Sequence, residues 1–418
     1  MRVINIYKIL HIRYLILVAV LCSTGVQSQT LNDYLSMATQ NNPEIQSAYK
    51  TFEAALEKAP QVSSLPDPSL TMSAFGRMIE TRLGTQEARF SFMQMFPWFG
   101  TLEAKKSAAN LMAEATFQKY LDSKNEVFLM IKKSYAEIYE LNRMVQIEER
   151  NLEILDNYRE LALSKFKSGK GAMVDVVRID IKRNDSETKI QLLNEQNEPL
   201  QIEFNSLLNR DLNALINIPD ALPLVDVTSL LESDSLFVSN PKLLGLDKMI
   251  ASYEAQKKIV KNEGLPMIGL GLDYSIISKR DVPGLEMNGQ DAIMPMLSVT
   301  LPIFRKKYKA KQNEVAFMLE ATTYDKQAVK NKLQTMYSMA NYKFSKANTL
   351  NALYKKQTES TQQAISLLIA AYSNSGINFE EILRMNQDLL MLQTATVLET
   401  KNQFVAQSTI DYLIANQQ

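Results

Sequence analysis

The sequence predicts a mostly helical fold with a small β part, built from two similar halves. Residues 101–168 and 304–375 contain neither Gly nor Pro and are rich in good helix formers, so each predicts a helix far longer than globular proteins use. Ahead of each run, short segments alternate apolar and polar residues, as half-buried strands do. The same succession of motifs occurs in both halves, which indicates a duplicated architecture.

The repeat is visible in proline-containing motifs that recur in the same order. These are Asn42-Pro43 and Asn240-Pro241, then Leu65-Pro66 and Leu265-Pro266, then Phe96-Pro97 and Leu301-Pro302. A period of this length exceeds that of a solenoid repeat. We therefore predict a signal peptide at residues 1–28, a first structural repeat at 29–215 and a second at 216–418.

The N-terminal segment has the pattern of a secretory signal. Basic residues precede the apolar run Tyr14–Leu21, which is shorter than the roughly 20 residues of a spanning helix, and cleavage is predicted before Gln29. Lipidation of Cys22 is disfavoured because Leu21 before it is not small. Cleavage removes Cys22 and His11, the only Cys and the only His.

The composition of the mature chain excludes several classes of protein. Without His or Cys there is no imidazole base, thiol nucleophile or disulfide, and we find no P-loop or Gly-rich dinucleotide motif. We therefore predict no enzyme, no cofactor and no catalytic residue. The full chain has 46 basic and 46 acidic residues, and cleavage removes Arg2, Lys8 and Arg13, so the absence of a basic excess also predicts no nucleic-acid partner.

Each long helix is predicted to extend roughly 100 Å and to turn back through a Gly-containing segment. The first turn contains Phe166 and Gly169, and the second contains Tyr372 and Gly376. Return helices are predicted from near Ala172, with a break or kink at Pro199, and from near Asn378. Polar stretches at residues 76–87 and 278–291 predict hairpin loops between the strands of each pair.

The chain resembles the TolC family of outer-membrane efflux proteins over essentially its whole mature length. The order of helix, two strands, long helix, turn and return helix carries the resemblance. So do Phe166, Gly169 and Asp175 at the first turn, the segment Phe204–Arg210, and the segment Phe96–Gly100. The resemblance implies a homotrimer in the outer membrane of a Gram-negative cell. Each protomer would give four strands to a shared twelve-stranded β-barrel, and the long α-helical hairpins would form a periplasmic tunnel.

The resemblance also implies partners and a gate. A periplasmic adaptor and an inner-membrane transporter, most simply of the RND type, would supply substrate and energy to a passive channel surrounded by outer-membrane lipid. Candidate gate residues at the starts of the two return helices are Asp175, Arg178, Glu380, Glu381 and Arg384. Arg384 stands where the family often has another acid. An ordinary surface pair with the acid three residues earlier is the alternative for Arg178 and for Arg384.

Methionines in the predicted strands leave one further question open. Met93, Met95, Met294 and Met296 lie there, and the segment Phe92–Pro97 resembles the heavy-metal branch of the family. Thioethers suit Cu(I), yet methionine is also a common apolar filler, so we predict no metal site and leave metal ions open as cargo. A type I protein-secretion duct and a non-channel coiled-coil envelope scaffold stand as alternative functions.

Overall fold

A computed structural model of the chain describes residues 30–224, 236–375 and 379–415. Its elements follow the order α1 (Leu31–Asn41), α2 (Pro43–Leu56), α3 (Lys58–Ser63), β1 (Ser69–Thr81), β2 (Gly84–Phe96), α4 (Thr101–Lys167), α5 (Met173–Leu207), α6 (Pro241–Glu263), β3 (Ile268–Ser278), β4 (Ala292–Val299), α7 (Arg305–Ser375) and α8 (Phe379–Ile414). The predicted fold class is confirmed: the order helix, strand pair, long helix and return helix occurs twice. The predicted signal peptide and Gly376 lie outside the described residues.

The two long helices are the dominant elements. Helix α4 contains 67 residues and α7 contains 71, as the absence of Gly and Pro from these runs predicts. Pro199 lies inside α5, which continues to Leu207, so of the predicted break or kink at this residue the break is wrong. A proline removes one backbone hydrogen bond, and the turns on either side maintain the helix. No helix within the described ranges is long and apolar enough to cross a membrane.

The recurring Asn-Pro pairs mark helix starts. Asn42 Oδ1 accepts hydrogen bonds from the backbone N–H groups of Glu44 at 2.9 Å and Ile45 at 3.1 Å, and Pro43 begins α2. Asn240 Oδ1 accepts from the N–H of Lys242 at 3.0 Å ahead of α6. The asparagine satisfies donors that have no helical partner, and proline lacks the N–H that would need one.

The described residues separate into two compact units, each containing segments from both halves of the sequence. The first comprises the described part of Met1–Gln40 with Ile131–Leu222 and Ser360–Val397. In it, Tyr34 and Phe204 are fully buried and their rings meet edge-on at 5.0 Å. Arg210 lies over the ring of Tyr34 and donates to Asn205 Oδ1 at 2.7 Å, which explains the Phe204–Arg210 motif as the end of α5.

The second unit comprises Asn41–Met130 and the described parts of Pro223–Glu359 and Leu398–Gln418, and it contains the only sheet among the described residues. The strands are antiparallel in the order β1-β2-β3-β4. The predicted loop at 278–291 is confirmed, whereas the predicted loop at 76–87 is wrong because β1 and β2 continue to a turn at residues 82–83. Polar residues here pair across the strands, Glu80 with Thr85 for example, so their polarity did not signal a loop.

The two faces of this sheet differ in chemistry, and one cross-strand row of each face shows it. One row reads Leu70, Phe92, Leu272 and Pro295 across the four strands, and the next reads Ser69, Met93, Gly271 and Met296. Large apolar side chains on the first face are exposed: Leu70, Met72, Phe92, Leu270, Leu272, Ile293, Leu297 and Val299. The second face carries polar residues, glycines and methionines.

Candidate gate at the helical turns

The first turn ends α4 through a glycine in the left-handed conformation. Gly169 has φ +71°, and its N–H donates to the carbonyl of Phe166 at 3.0 Å while that of Lys170 donates to Lys165 at 2.9 Å. These two bonds form a Schellman motif, which satisfies carbonyls that the helix end leaves free. The turn brings the chain to Ala172, the residue before α5, and so positions Asp175 and Arg178 in its first turns.

An apolar cluster from four helices lies beside both turns. At its centre Phe379, only 1% exposed, meets Tyr372 at 5.0 Å and Tyr158 at 5.8 Å between ring centroids. Aromatic pairs in such edge-on arrangements add to the stabilisation from burial. The buried members of this tip cluster are Leu155, Tyr158, Ala162, Val176, Ile179, Tyr372, Phe379, Ile382 and Leu383. They hold the hairpin α4–α5 against the hairpin α7–α8.

Arg178 does not pair with the acid three residues before it. Its Nη1 lies 2.8 Å from Oε2 of Glu380. Because Glu380 belongs to the first turn of α8, this ion pair joins the return helices of the two halves. Both side chains are largely exposed. The ordinary intrahelical alternative therefore does not describe Arg178 in this structure.

Arg384 does pair within its own helix. Its Nε donates to Glu381 Oε2 at 3.2 Å, and this hydrogen bond holds the pKa of Glu381 below its usual value. Since both partners belong to the first turns of α8, the pair stabilises that helix start without joining two elements.

Asp175 lies on the inner side of α5 and is only 9% exposed. Burial, followed by the nearby charge of Asp175, raises the pKa of the Tyr372 hydroxyl. Among the described residues this hydroxyl has no hydrogen-bond partner. The turn region thus contains a buried carboxylate next to an unsatisfied phenol, where the sequence indicated only an acidic helix start.

The structure shows additional polar contacts that the sequence reasoning did not find. Lys165 Nζ donates to the backbone carbonyl of Ser373 at 2.7 Å, which links the two turn regions. Arg159 Nε lies 2.6 Å from Oδ1 of Asp180 and ties α4 to α5. Arg159 interrupts the apolar spacing of α4, and that gap was the signal available for finding it.

A buried polar chain crosses three helices farther from the turns. Asn386 donates to Asn151 at 2.9 Å, Asn151 donates to Ser186 at 3.1 Å, and Ser186 donates to Glu148 at 2.8 Å. All four residues are buried and line a cavity of about 290 Å³. Because a buried polar group is costly without its partner, this chain favours one register of α4, α5 and α8.

Replacing Tyr372 by phenylalanine is expected to raise the free energy of unfolding by about 1 kcal/mol, because it removes a buried hydroxyl that has no partner. Thermal unfolding of the purified protein measures the change. Tyr412→Phe is the matched control, since Tyr412 donates to Asp122 at 3.1 Å and its loss should destabilise. A Tyr372→Phe protein that is less stable than the Tyr412→Phe protein would contradict the conclusion that the Tyr372 hydroxyl has no hydrogen-bond partner.

The described residues contain no group of three or more His, Cys, Asp or Glu arranged to hold a metal ion. The arrangement at the turns is that of a mechanical contact: an apolar cluster with an ion pair beside it joins two helical hairpins.

Comparisons with known proteins agree with this architecture. Residues 34–203 match the sequence model of the outer membrane efflux protein family. No curated protein matches the chain. Among solved structures, the outer-membrane channel OprN superposes with a TM-score of 0.76 at 15% identity, over 93% of this chain and 90% of that one.

Two other solved structures have the same fold. The outer membrane protein VceC of Vibrio cholerae gives a TM-score of 0.72 at 14% identity, covering 92% of this chain and 95% of that one. The open state of the MtrE outer membrane channel of Neisseria gonorrhoeae gives 0.73 at 14% identity, covering 92% and 88%. Residues 34–203 thus carry a sequence match to the outer membrane efflux protein family, and the described residues as a whole share the fold of solved outer-membrane channels.

Proposed function

We propose that three copies of this chain form a passive exit duct in the outer membrane, through which small molecules or metal ions leave the cell. The exposed apolar face of the sheet carries the proposal. Soluble monomers rarely expose so large a contiguous apolar patch, and this one includes Leu297 at 71% exposure and Met72 at 68%. In a lipid bilayer the free-energy cost of exposing such a face to water disappears.

The edges of the sheet indicate how many copies are needed. Within the described residues, β1 and β4 each pair on one side only. An unpaired edge cannot face hydrocarbon, because its backbone groups would lose water without gaining partners. Four strands are too few to close a barrel, whose smallest members have about eight. Joining β4 of one copy to β1 of the next removes every edge, and three copies give the twelve strands of the family.

The helical turns are the proposed entrance and the place where a partner acts. The tip cluster and the Arg178–Glu380 pair hold the two hairpins together and thereby keep the entrance closed. The duct itself performs no catalytic or energy-coupling step. A periplasmic adaptor that contacts the turns, together with an inner-membrane transporter, would supply the work of opening and the substrate.

The size and conductance of the purified protein test the duct. We expect a particle of three chains in detergent and a small cation-selective current in planar bilayers, since acids recur around a three-fold axis. Membrane extract from cells lacking the protein is the control. A monomeric particle without current would overturn the proposal and favour an envelope scaffold.

Opening of the entrance is a separate expectation for the acids at the turns. Asp175→Ala combined with Glu381→Ala should increase the conductance and weaken its preference for cations. An unchanged current in this variant would leave the duct in place and remove these two acids from the gate.

A further inference from the structure

The strand register places four methionines on the polar face of the sheet, and three of them lie beside Gly269 and Gly271 of β3, whereas Met294 pairs with Asp273. Met93 of β2 and Met296 of β4 both pair with Gly271, which stands between them on β3. Met95 is two residues along β2 from Met93, so it shares that face, and it pairs with Gly269. All three side chains are partly buried. Residues from distant parts of the sequence thus form one cluster, which we call the methionine cluster.

The two glycines allow the thioethers of Met93 and Met95 to lie across β3. A Cβ on Gly269 would lie 2.5 Å from the sulfur of Met95 and 3.1 Å from that of Met93, so the two sulfurs are no farther apart than these distances combined. A Cβ on Gly271 would lie 3.1 Å from the Met93 sulfur. Two sulfurs bound to one metal ion lie at most about 4.6 Å apart if each bond is as long as the roughly 2.3 Å of a Zn–S bond, and that separation falls within this upper limit.

The charges next to the cluster sum to zero. Asp273, two residues along β3 from Gly271 on the same face, is 1% exposed and forms an ion pair with Arg89 through Oδ2. Its Oδ1 is buried and has no hydrogen-bond partner among the described residues. The neighbourhood thus provides neutral sulfur donors and one carboxylate oxygen that is free of hydrogen bonds.

We propose that Met93, Met95 and Met296 form a binding site for a soft monovalent metal cation, Cu(I) or Ag(I). Thioethers are soft, uncharged ligands that select Cu(I) over hard divalent cations, which require carboxylate or carbonyl oxygens. The site belongs to a single protomer and does not depend on the duct. Its use as a stopping point for exported cations rests on the proposed function, in which the polar face lines the lumen.

The competing explanation is that the three methionines only fill space as apolar side chains. Substitution by leucine distinguishes this explanation from metal binding. A methionine-to-leucine change nearly conserves volume and costs little in packing, but it removes the sulfur. We therefore compare the full-length protein with the Met93→Leu, Met95→Leu, Met296→Leu variant. The control replaces two helical methionines, Met130→Leu with Met391→Leu, both exposed.

Silver ion is the probe, added as nitrate in chloride-free buffer, and calorimetry with metal analysis of the dialysed protein gives affinity and stoichiometry. We expect one Ag(I) per protomer in wild type and in the control, and at least a tenfold weaker association in the triple variant. Excess Zn(II) should not displace the silver. The proposal is overturned if wild type binds no silver, if the triple variant binds it equally well, or if the control loses it too.

Conductance measurements on the same proteins test the metal site and the duct independently of each other. A current from the triple variant without silver binding by wild type would keep the duct and reject the metal site. Silver binding by a wild-type protein that carries no current would keep the site and reject the duct. Particle size and thermal unfolding of the triple variant should equal those of wild type, which shows that lost binding does not arise from misfolding.

Discussion

Replacing Phe379 by alanine is expected to destabilise the helical tip by about 3–5 kcal/mol and to raise the conductance of the duct. The side chain is 1% exposed at the centre of the tip cluster, and truncation leaves a cavity between Tyr158 and Tyr372. Hydrogen exchange of backbone amides in the first turns of α5 and α8 measures the loss of stability, and single-channel recording measures the opening.

An exposed aromatic residue provides the matched control for this change. Phe99 is 80% exposed, so Phe99→Ala should change the stability of the turns, as measured by hydrogen exchange, by no more than about 0.5 kcal/mol. Its conductance should equal that of wild type within experimental error. If Phe379→Ala leaves exchange at the turns unaltered, the cluster does not hold the hairpins together. Faster exchange without a larger current would keep its structural role and remove its role in closing the entrance.

Reversing one charge of the Arg178–Glu380 pair is expected to open the duct, and reversing both is expected to close it again. Arg178→Glu sets two carboxylates against each other where the structure has an ion pair at 2.8 Å. An exposed pair contributes only about 0.2–1 kcal/mol, but three copies act around one entrance. We expect a several-fold rise in conductance, largely reversed in the Arg178→Glu, Glu380→Arg double variant.

Lys182→Glu is the control for the charge reversal. Lys182 pairs with Asp185 at 3.5 Å inside α5, so its reversal changes the protein's charge equally without disturbing a contact between hairpins. A rise of equal size in Lys182→Glu would attribute the effect to overall charge. Failure of the double variant to recover would show that the pair does not hold the entrance closed, whatever the single variants do.

The helices and their order could be predicted from the sequence because the residues at the start and end of each helix specify it locally. Asn42-Pro43 and Asn240-Pro241 start helices through their own side-chain and ring chemistry, and Gly169 closes α4 because a glycine adopts φ +71° without strain. The long Gly-free and Pro-free runs predicted α4 and α7 almost to the residue. The strand ends were less accurate, since the polar residues after Gly76 continue a strand whose partner supplies the missing hydrogen bonds.

The contacts that matter for function required the folded chain, because their members are distant in sequence and are joined only by helix register and strand pairing. Neighbouring residues suggested an Asp175–Arg178 pair, whereas packing of the two hairpins turns Arg178 to Glu380. The sequence showed methionines in two strands and favoured a filling role. Pairing of β2 and β4 with β3 then set them on one face, over two glycines, where thioethers can share a cation.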